Sequence, residues 1–367
     1  MKILYVTTIS NTVNAFLIPH IRMLINEGYK VDVAFNVEQD VKPEIVALGC
    51  RVYVVPFQRT PLKKDNFKAY KSLKNIIVKE RYDMVHTHTP VASVIVRLVC
   101  RNLKNVRVFY TAHGFHFFKG APWINWLIYY PLEHWLSRYT DTLITINKED
   151  YKRAKKLFKA KRIKYIPGVG IDIERFTNIK QNKNLNRYKL GLAENAYVIL
   201  SVGELNKNKN HEIIIKALAK IKNPQIHYLI CGDGLLKDYL MNIAFELGVD
   251  CNIHFLGFRN DVEEMYKISN LFVFPSYREG LPVSVMEAMA SGLPIVCSSI
   301  RGNLDLVDNG RGGYAVNATD VDGFVKAILH LKNDTEISKM FGVYNSRKSQ
   351  KYDIEALNYE LLHAIST

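Results

Sequence analysis

Two glutamates eight positions apart, Glu279 and Glu287, bracket a loop and a helix start suited to an anion. Around them, residues 271–298 read as an apolar run at 271–274, a break at Pro275 and Ser276, the turn Gly280-Leu281-Pro282, a helical pattern, and a second apolar run at 294–297. That is strand, loop, helix, strand. Val283, Met286 and Ala290 recur at helical spacing and predict a buried stripe. A loop that combines an acid, a glycine and a helix start presents unpaired backbone N–H groups to a phosphate. The two carboxylates can then accept hydrogen bonds from sugar hydroxyls on one side and a ribose on the other. The plainer reading makes one acid an N-terminal helix charge and the other part of a solvated face.

A second constellation is Val202-Gly203-Glu204-Leu205-Asn206-Lys207-Asn208-Lys209-Asn210, between an apolar run and a helical pattern. Lys207 and Lys209 are either solvated charges or phosphate ligands. Cations at a helix N-terminus are unfavourable without an anion beside them, which favours the ligand reading. His113, in Tyr110-Thr-Ala-His-Gly-Phe-His116, follows a predicted strand and is either a reacting group or a satisfied structural one. His86 and His88 have the spacing of a metal pair. Residues two apart on a strand face opposite ways, and no third ligand accompanies them, so no metal site is expected. Asp320 and Asp322 form a D-x-D string at a predicted helix start and read as capping or surface charge. The first strand runs into Thr-Thr-Ile-Ser-Asn-Thr without G-x-G-x-x-G, which argues against a dinucleotide at that turn.

The string Glu279-Gly-Leu-Pro-x4-Glu287-Ala-Met-Ala-x-Gly-x-Pro resembles the E-x7-E signature of family 4 of the retaining glycosyltransferases, which use nucleotide sugars and have the GT-B fold. The resemblance implies that Glu287 binds the ribose and Lys209 the diphosphate. Glu279, with the Gly280 and Leu281 amides, is implied to hold the sugar and adjoining phosphate. Pro282, Gly203 and Lys207 complete this donor set. In the family the loop at 202–210 reads V-G-R-L-x-x-x-K-G, and its arginine and lysine grip the two phosphates. Lys209 matches the lysine, but Glu204 stands where the arginine is expected. Either Lys207 takes that task or Glu204 turns away to pair with a neighbour. His113 matches the family histidine near the transferred sugar. Phe255-Leu-Gly257-Phe258-Arg259 is implied to face the base, with Phe258 or Arg259 packed beside a uracil. The acceptor is expected at the first-domain rim near Ser10 to Asn14 and at the aromatic segment, with Asn11, Asn14, Trp123 and Trp126 on that side. In the family the donor phosphate itself receives the acceptor proton on the face of attack. The catalytic set is then His113, Glu279 and Lys209, with no dedicated side-chain base, no metal and no cofactor beyond the nucleotide-sugar co-substrate.

Such residues need a scaffold that carries them to one edge. Short β-type runs at 3–7, 30–35, 51–55, 84–87, 107–111 and 142–146 alternate with helical patterns such as 16–27, 67–79 and 92–102. The alternation predicts a parallel, doubly wound sheet. Sites on such sheets lie beyond the carboxyl ends of the strands, which puts 8–14, 86–90 and 113–119 along one rim. The run Ile166-Pro-Gly-Val-Gly-Ile-Asp172 resembles the family's interdomain junction, and 181–186 reads as a polar loop. A new alternation begins at Tyr197, with strands expected at 198–202, 227–231, 253–257, 271–274 and 295–297. The expected architecture is α/β, with two Rossmann-like domains facing a cleft as in GT-B. Residues 1–170 form the acceptor-side domain, 171–348 the nucleotide-sugar domain, and 349–367 a helix returning to the first domain.

A chain of 367 residues, 48% hydrophobic, has room for two cores. No stretch offers about 18 uninterrupted apolar residues for a membrane span, and MKILYVTT reads as a strand rather than a signal peptide. Five scattered cysteines, never in C-x-x-C, read as reduced cytosolic thiols. Residues 1–168 hold 28 Lys and Arg against 12 Asp and Glu, whereas the remainder holds 22 against 23. A basic half suits nucleic acid, an anionic membrane or a polyanionic substrate. Residues 115–135 contain all three tryptophans, Trp123, Trp126 and Trp135, with Tyr129 and Tyr130, and 152–164 add eight basic residues. Tryptophan and tyrosine favour membrane interfaces, so the segment is either a face resting on an anionic bilayer or an aromatic core helix with a solvated basic neighbour. Nucleic-acid binding would interleave aromatics with the basic residues; here they cluster in one apolar segment, so no nucleic-acid partner is expected.

The expected function is a retaining glycosyltransferase that moves a sugar from a nucleotide sugar, UDP-linked by resemblance, to a lipid-linked saccharide in bacterial surface polysaccharide assembly. It would work in the cytoplasm, peripheral to the inner face of the plasma membrane. The alternatives are a nucleotide-sugar 2-epimerase of the same fold and a basic nucleic-acid-binding protein.

Overall fold

Runs such as Ile3-Leu4-Tyr5-Val6 leave no polar face for water, so both faces of their sheet must be covered by helices. The computed structural model describes residues 1–61, 63–177 and 187–366; the polar loop expected at 181–186 lies outside the described residues. The first sheet comprises β1 (Lys2–Ile9), β2 (Lys30–Asn36), β3 (Val52–Val54), β4 (Met84–Thr87), β5 (Arg107–Ala112), β6 (Thr142–Thr145) and β7 (Arg162–Tyr165), ordered β3-β2-β1-β4-β5-β6-β7 and parallel throughout. The second comprises β8 (Tyr197–Val202), β9 (Ile226–Cys231), β10 (Ile253–Gly257), β11 (Leu271–Phe274), β12 (Ile295–Ser298) and β13 (Gly313–Val316), ordered β10-β9-β8-β11-β12-β13, again parallel. Strand order reverses between β1 and β4 in one sheet and between β8 and β11 in the other. Helices diverge at such switch points and leave a crevice at the carboxyl ends. The strands β7 and β13 were not expected from the sequence, because half-buried edge strands lack a full apolar run.

The chain divides into two compact units, Met1–Val169 with Glu355–Thr367, and Gly170–Ile354. The Ile354–Ser366 helix buries Leu357, Leu361, Ala364 and Ile365 in the first unit's core, among Ile21, Phe109 and Ile144. The crossing falls later than position 349, because Ile354 N–H donates to Ile171 O (2.9 Å) and holds residues up to 354 in the second unit. Gly170, at φ +78°, fits there because a Cβ would lie 2.8 Å from Ile354 Cα.

The Val283–Ala290 helix is buried more broadly than a single stripe. Val285, Met286, Ala288, Met289 and Ala290 are all buried, and Val283 is only partly so. It is covered on a second side by the Thr335–Ser349 helix, whose Gly342 approaches the turn at Gly292 so closely that a Cβ would sit 2.1 Å from its carbonyl oxygen. Only the side bearing Ser284 and Glu287 remains partly open.

In the first unit, Arg97 of the Pro90–Cys100 helix is 1% exposed. It holds Glu133 of the Trp123–Ser137 helix through Nη1 to Oε2 (2.7 Å) and Nη2 to Oε1 (3.1 Å), and its Nε donates to Ser93 O (3.0 Å). Removing one member of a buried pair strands the other charge, so Glu133→Ala is expected to lower stability by about 3–5 kcal/mol. The exposed Arg22–Glu44 pair, broken by Glu44→Ala, is expected to change it by less than about 1 kcal/mol. Urea unfolding midpoints of the two variants check the contrast.

Candidate functional site

The second sheet's switch point places two loops side by side. Lys209 follows β8 and Glu279 follows β11, and Lys209 Nζ reaches Glu279 Oε1 at 2.8 Å. The lysine lies over the Phe274 ring (4.6 Å), and its stem runs along Gly203, where a Cβ would come 3.2 Å from Lys209 Cε. Asn208 Nδ2 donates to Arg278 O (2.9 Å), and Tyr277 N–H donates to Asn208 O (2.8 Å). Asn210, at φ +55°, ties the loops beneath through Nδ2 to Pro275 O (3.1 Å) and Ala318 O (2.8 Å). Gly302, at φ +80°, supports the other side; a Cβ there would lie 2.4 Å from Gly280 O. The result is a braced cation and carboxylate beside the start of the Val283–Ala290 helix, whose first N–H groups have no intrahelical acceptor.

Glu287 occupies the open side of that helix. Its Oε2 accepts from Tyr266 Oη (2.9 Å), which also donates to Ser284 O (2.9 Å). Burial pushes the Glu287 carboxyl above its ordinary range, against the hydrogen bond from Tyr266 and the attraction of Arg175. Tyr266 has no local signal in the sequence, since its partner lies 21 residues away.

In the first unit, His20, His86, His88 and His113 share one cavity at the carboxyl ends of β4, β5 and β6. His86 Nε2 meets Thr111 Oγ1 (2.8 Å), and His88 Nδ1 meets His113 Nε2 (3.2 Å). Buried His86 Nδ1 and His88 Nε2 have no partner. In the His88–His113 contact one ring donates and the other accepts, and the tautomer sets which. The expectation that His86 and His88 face opposite ways fails, because β4 ends at Thr87 and the two rings lie with centroids 4.2 Å apart. Among the described residues no group of three His, Cys, Asp or Glu is arranged to hold a metal.

Burial holds His86 down to about 3, His113 down to about 4 and His88 well below the ordinary 6.5, and mutual repulsion adds to the shift. These rings stay neutral in the fold but protonate when unfolded. Stability is therefore complete above about pH 6.5 and is lost as pH falls from there towards 4 and then 3, at about 1.4 kcal/mol per unit of window for each ring. Thermal unfolding at pH 7.5, 6 and 5 is expected to show a midpoint that drops at each step; a level midpoint would refute the neutral cluster.

A family model described as Glycosyl transferases group 1 matches residues 182–348, and one described as Glycosyl transferase 4-like matches residues 2–147. EpsD of Bacillus subtilis, named as a glycosyltransferase, is 36% identical over 347 residues that cover 93% of this chain and 90% of that protein. The chain belongs to the family 4 glycosyltransferases. This glycosyltransferase is also 32% identical, over 87% of its length and 84% of the relative, to the UDP-Gal:alpha-D-GlcNAc-diphosphoundecaprenol alpha-1,3-galactosyltransferase of Escherichia coli. HepE of Anabaena, solved with UDP and glucose, matches with TM-score 0.84 at 21% identity over 100% of this chain and 99% of that one, which shows the GT-B fold. The epimerase alternative finds no support in these likenesses.

The glycosyltransferase's structure brings Gly203, Lys209, Glu279, Gly280, Leu281, Pro282 and Glu287 onto one edge of the second sheet. Glu204 turns to its neighbour, accepting from Asn206 Nδ2 (2.9 Å), and Lys207 is exposed. Phe258 is 81% exposed and Arg259 pairs with Asp261 (2.8 Å), so no packed aromatic wall for a base is built there. In the first unit the expected rim loop at 8–14 is helical from Ser10, with a π-helical turn at Val13–Leu17. Asn14 is buried and committed: Nδ2 donates to Asp40 O (2.9 Å) and Oδ1 accepts from Lys42 N–H (3.2 Å). It braces the loop after β2 and is not free for an acceptor. Asn11 remains partly exposed. Trp126 packs inward against Phe117 and under Arg153 (4.9 Å), whereas Trp123 is 74% exposed. Asp320 caps its helix, accepting from Gly323 N–H (2.9 Å).

Proposed function

We propose that this glycosyltransferase transfers a sugar, with retention, from a UDP-linked donor to a lipid-linked saccharide in the assembly of a bacterial surface polysaccharide. The observation that carries the reading is the Lys209–Glu279 pair at 2.8 Å beside a helix start, at the switch point of the second sheet. Lys209 and the amides around Gly280 and Leu281 would receive the negative charge that grows on the departing diphosphate. Glu279 would accept from sugar hydroxyls and Glu287 from the ribose. The bond from the anomeric carbon to the phosphate oxygen breaks and its electron pair leaves with UDP. The acceptor oxygen bonds to that carbon on the same face and gives its proton to the donor phosphate. The step draws on no metal and no side-chain base. Support for the donor comes from HepE, solved with UDP and glucose, and for the acceptor from the E. coli relative named for a diphosphoundecaprenol-linked sugar.

The same reading puts the enzyme on an anionic membrane face. The Trp123–Ser137 helix is divided: Trp126 and Tyr130 pack on Phe117 and Phe158, while Trp123, Ile124, Leu127 and Ile128 are exposed. Beside it the Lys148–Leu157 helix exposes Lys152, Lys155 and Lys156. No described helix is long and apolar enough to cross a membrane, so this face would lie on the surface.

The test mixes the protein with UDP- and GDP-sugars, with and without membranes bearing lipid-linked saccharides, and follows nucleotide release. Release that needs the membrane acceptor supports the reading. Equal release without acceptor, or no donor binding, overturns it.

A further inference from the structure

Beside the histidine cluster, the first unit holds a cavity of about 100 Å³ between the Pro90–Cys100 and Trp123–Ser137 helices. Val91, Val94, Ile95, Phe117, Tyr129 and Leu132 line it. Its polar wall groups are engaged within the protein. Glu133 is held by Arg97, and Asn66 donates to Thr60 O and Pro61 O (3.0 Å each) while accepting from Gln58 N–H (3.0 Å). A cavity so lined selects an apolar ligand.

Its edges are of a different character. One edge is Pro61, in a stretch where Lys63 and Lys64 are exposed. The other is Gly114 and Phe115, directly after His113. The helix that supplies Tyr129 and Leu132 exposes Trp123, Leu127 and Ile128 to the surroundings. An apolar interior, exposed lysines that follow one edge residue in the chain, His113 just before another and an exposed apolar helix alongside match an amphiphile with an anionic head and a long hydrocarbon tail.

We propose that this cavity binds the head-proximal isoprene units of a polyprenyl diphosphate, the carrier of the acceptor saccharide. The proposal rests on the acceptor class given above and adds where its lipid is gripped. The enzyme then reads the carrier as well as the sugar, and a saccharide without an isoprenoid tail is a poor acceptor.

Binding to the full chain of farnesyl diphosphate, isopentenyl diphosphate, inorganic diphosphate and palmitate tests this by titration calorimetry, with UDP titrated separately. Farnesyl diphosphate is expected to bind at least about tenfold tighter than isopentenyl diphosphate, because its extra methylenes are removed from water. Val94→Trp and Leu132→Trp, which fill the cavity, are expected to bring the two ligands within about twofold of each other and to leave UDP affinity unchanged. Circular dichroism checks that each variant folds; should either fail, Val94→Phe takes its place. Equal affinity for the two prenyl diphosphates overturns the proposal, as does a preference that survives filling or palmitate binding as tightly as farnesyl diphosphate. Loss of UDP binding in the unmodified protein strikes the donor reading alone, so the two failures are distinguishable.

Discussion

Glu279→Gln is expected to lower kcat for sugar transfer by about 10²–10³-fold while leaving UDP affinity within about threefold of the unmodified enzyme. The amide keeps the shape of the side chain but lacks the charge that holds Lys209 at 2.8 Å and that, in the proposed function, would accept from sugar hydroxyls. Both losses act where charge moves, so the effect falls on kcat. The pair is partly exposed, with side chains 14% and 21% accessible, so its removal is expected to cost under about 1 kcal/mol of stability. Steady-state kinetics with a fixed acceptor, beside UDP titration, checks the split. A rise in KM alone would reduce Glu279 to a ground-state contact.

Lys209→Met is the second large effect, and it has the opposite signature. A charge-assisted hydrogen bond is worth about 1.5–3 kcal/mol, so UDP affinity is expected to fall by about 10–100-fold together with kcat. Methionine preserves the stem along Gly203 and over Phe274, so the fold around the loop is retained. The Lys209→Met, Glu279→Gln double variant is expected to be less impaired than the product of the single effects, with a coupling of about 0.5–3 kcal/mol, because each residue positions the other. Multiplicative losses would show that the two act independently, and unchanged UDP affinity in Lys209→Met would move the diphosphate elsewhere.

Glu204 shows how a local substitution is read differently at two levels. In the sequence it is a carboxylate where the family's arginine would grip phosphate. In the fold it turns to Asn206 Nδ2 at 2.9 Å on an exposed surface. The loop thus keeps Lys209 as its buried-side cation, and the carboxylate's charge is spent on a neighbour rather than on the site. The aromatic segment behaves similarly. Its two readings were alternatives in the sequence, whereas the helix has an inward set, Trp126 and Tyr130, and an exposed set, Trp123 and Leu127. Helical periodicity alone does not say which stripe meets a core, because both are apolar.

The sequence by itself determined the alternation of strands and helices, the two doubly wound sheets and the E-x7-E turn, since these rest on local signals: apolar runs, glycines, and acids at fixed spacing. It placed Glu279, Lys209 and His113 after strands and Glu287 inside a helix. Only the tertiary structure decided who meets whom. Lys209 and Glu279 are 70 residues apart and join because β8 and β11 are neighbours. His88 and His113 are 25 apart and join because β4 and β5 pair. Tyr266 reaches Glu287 from another helix, and Asn14 is taken by the loop after β2. Long-range pairing is set by strand order and by the packing of helices on both sheet faces, neither of which any single stretch of residues encodes.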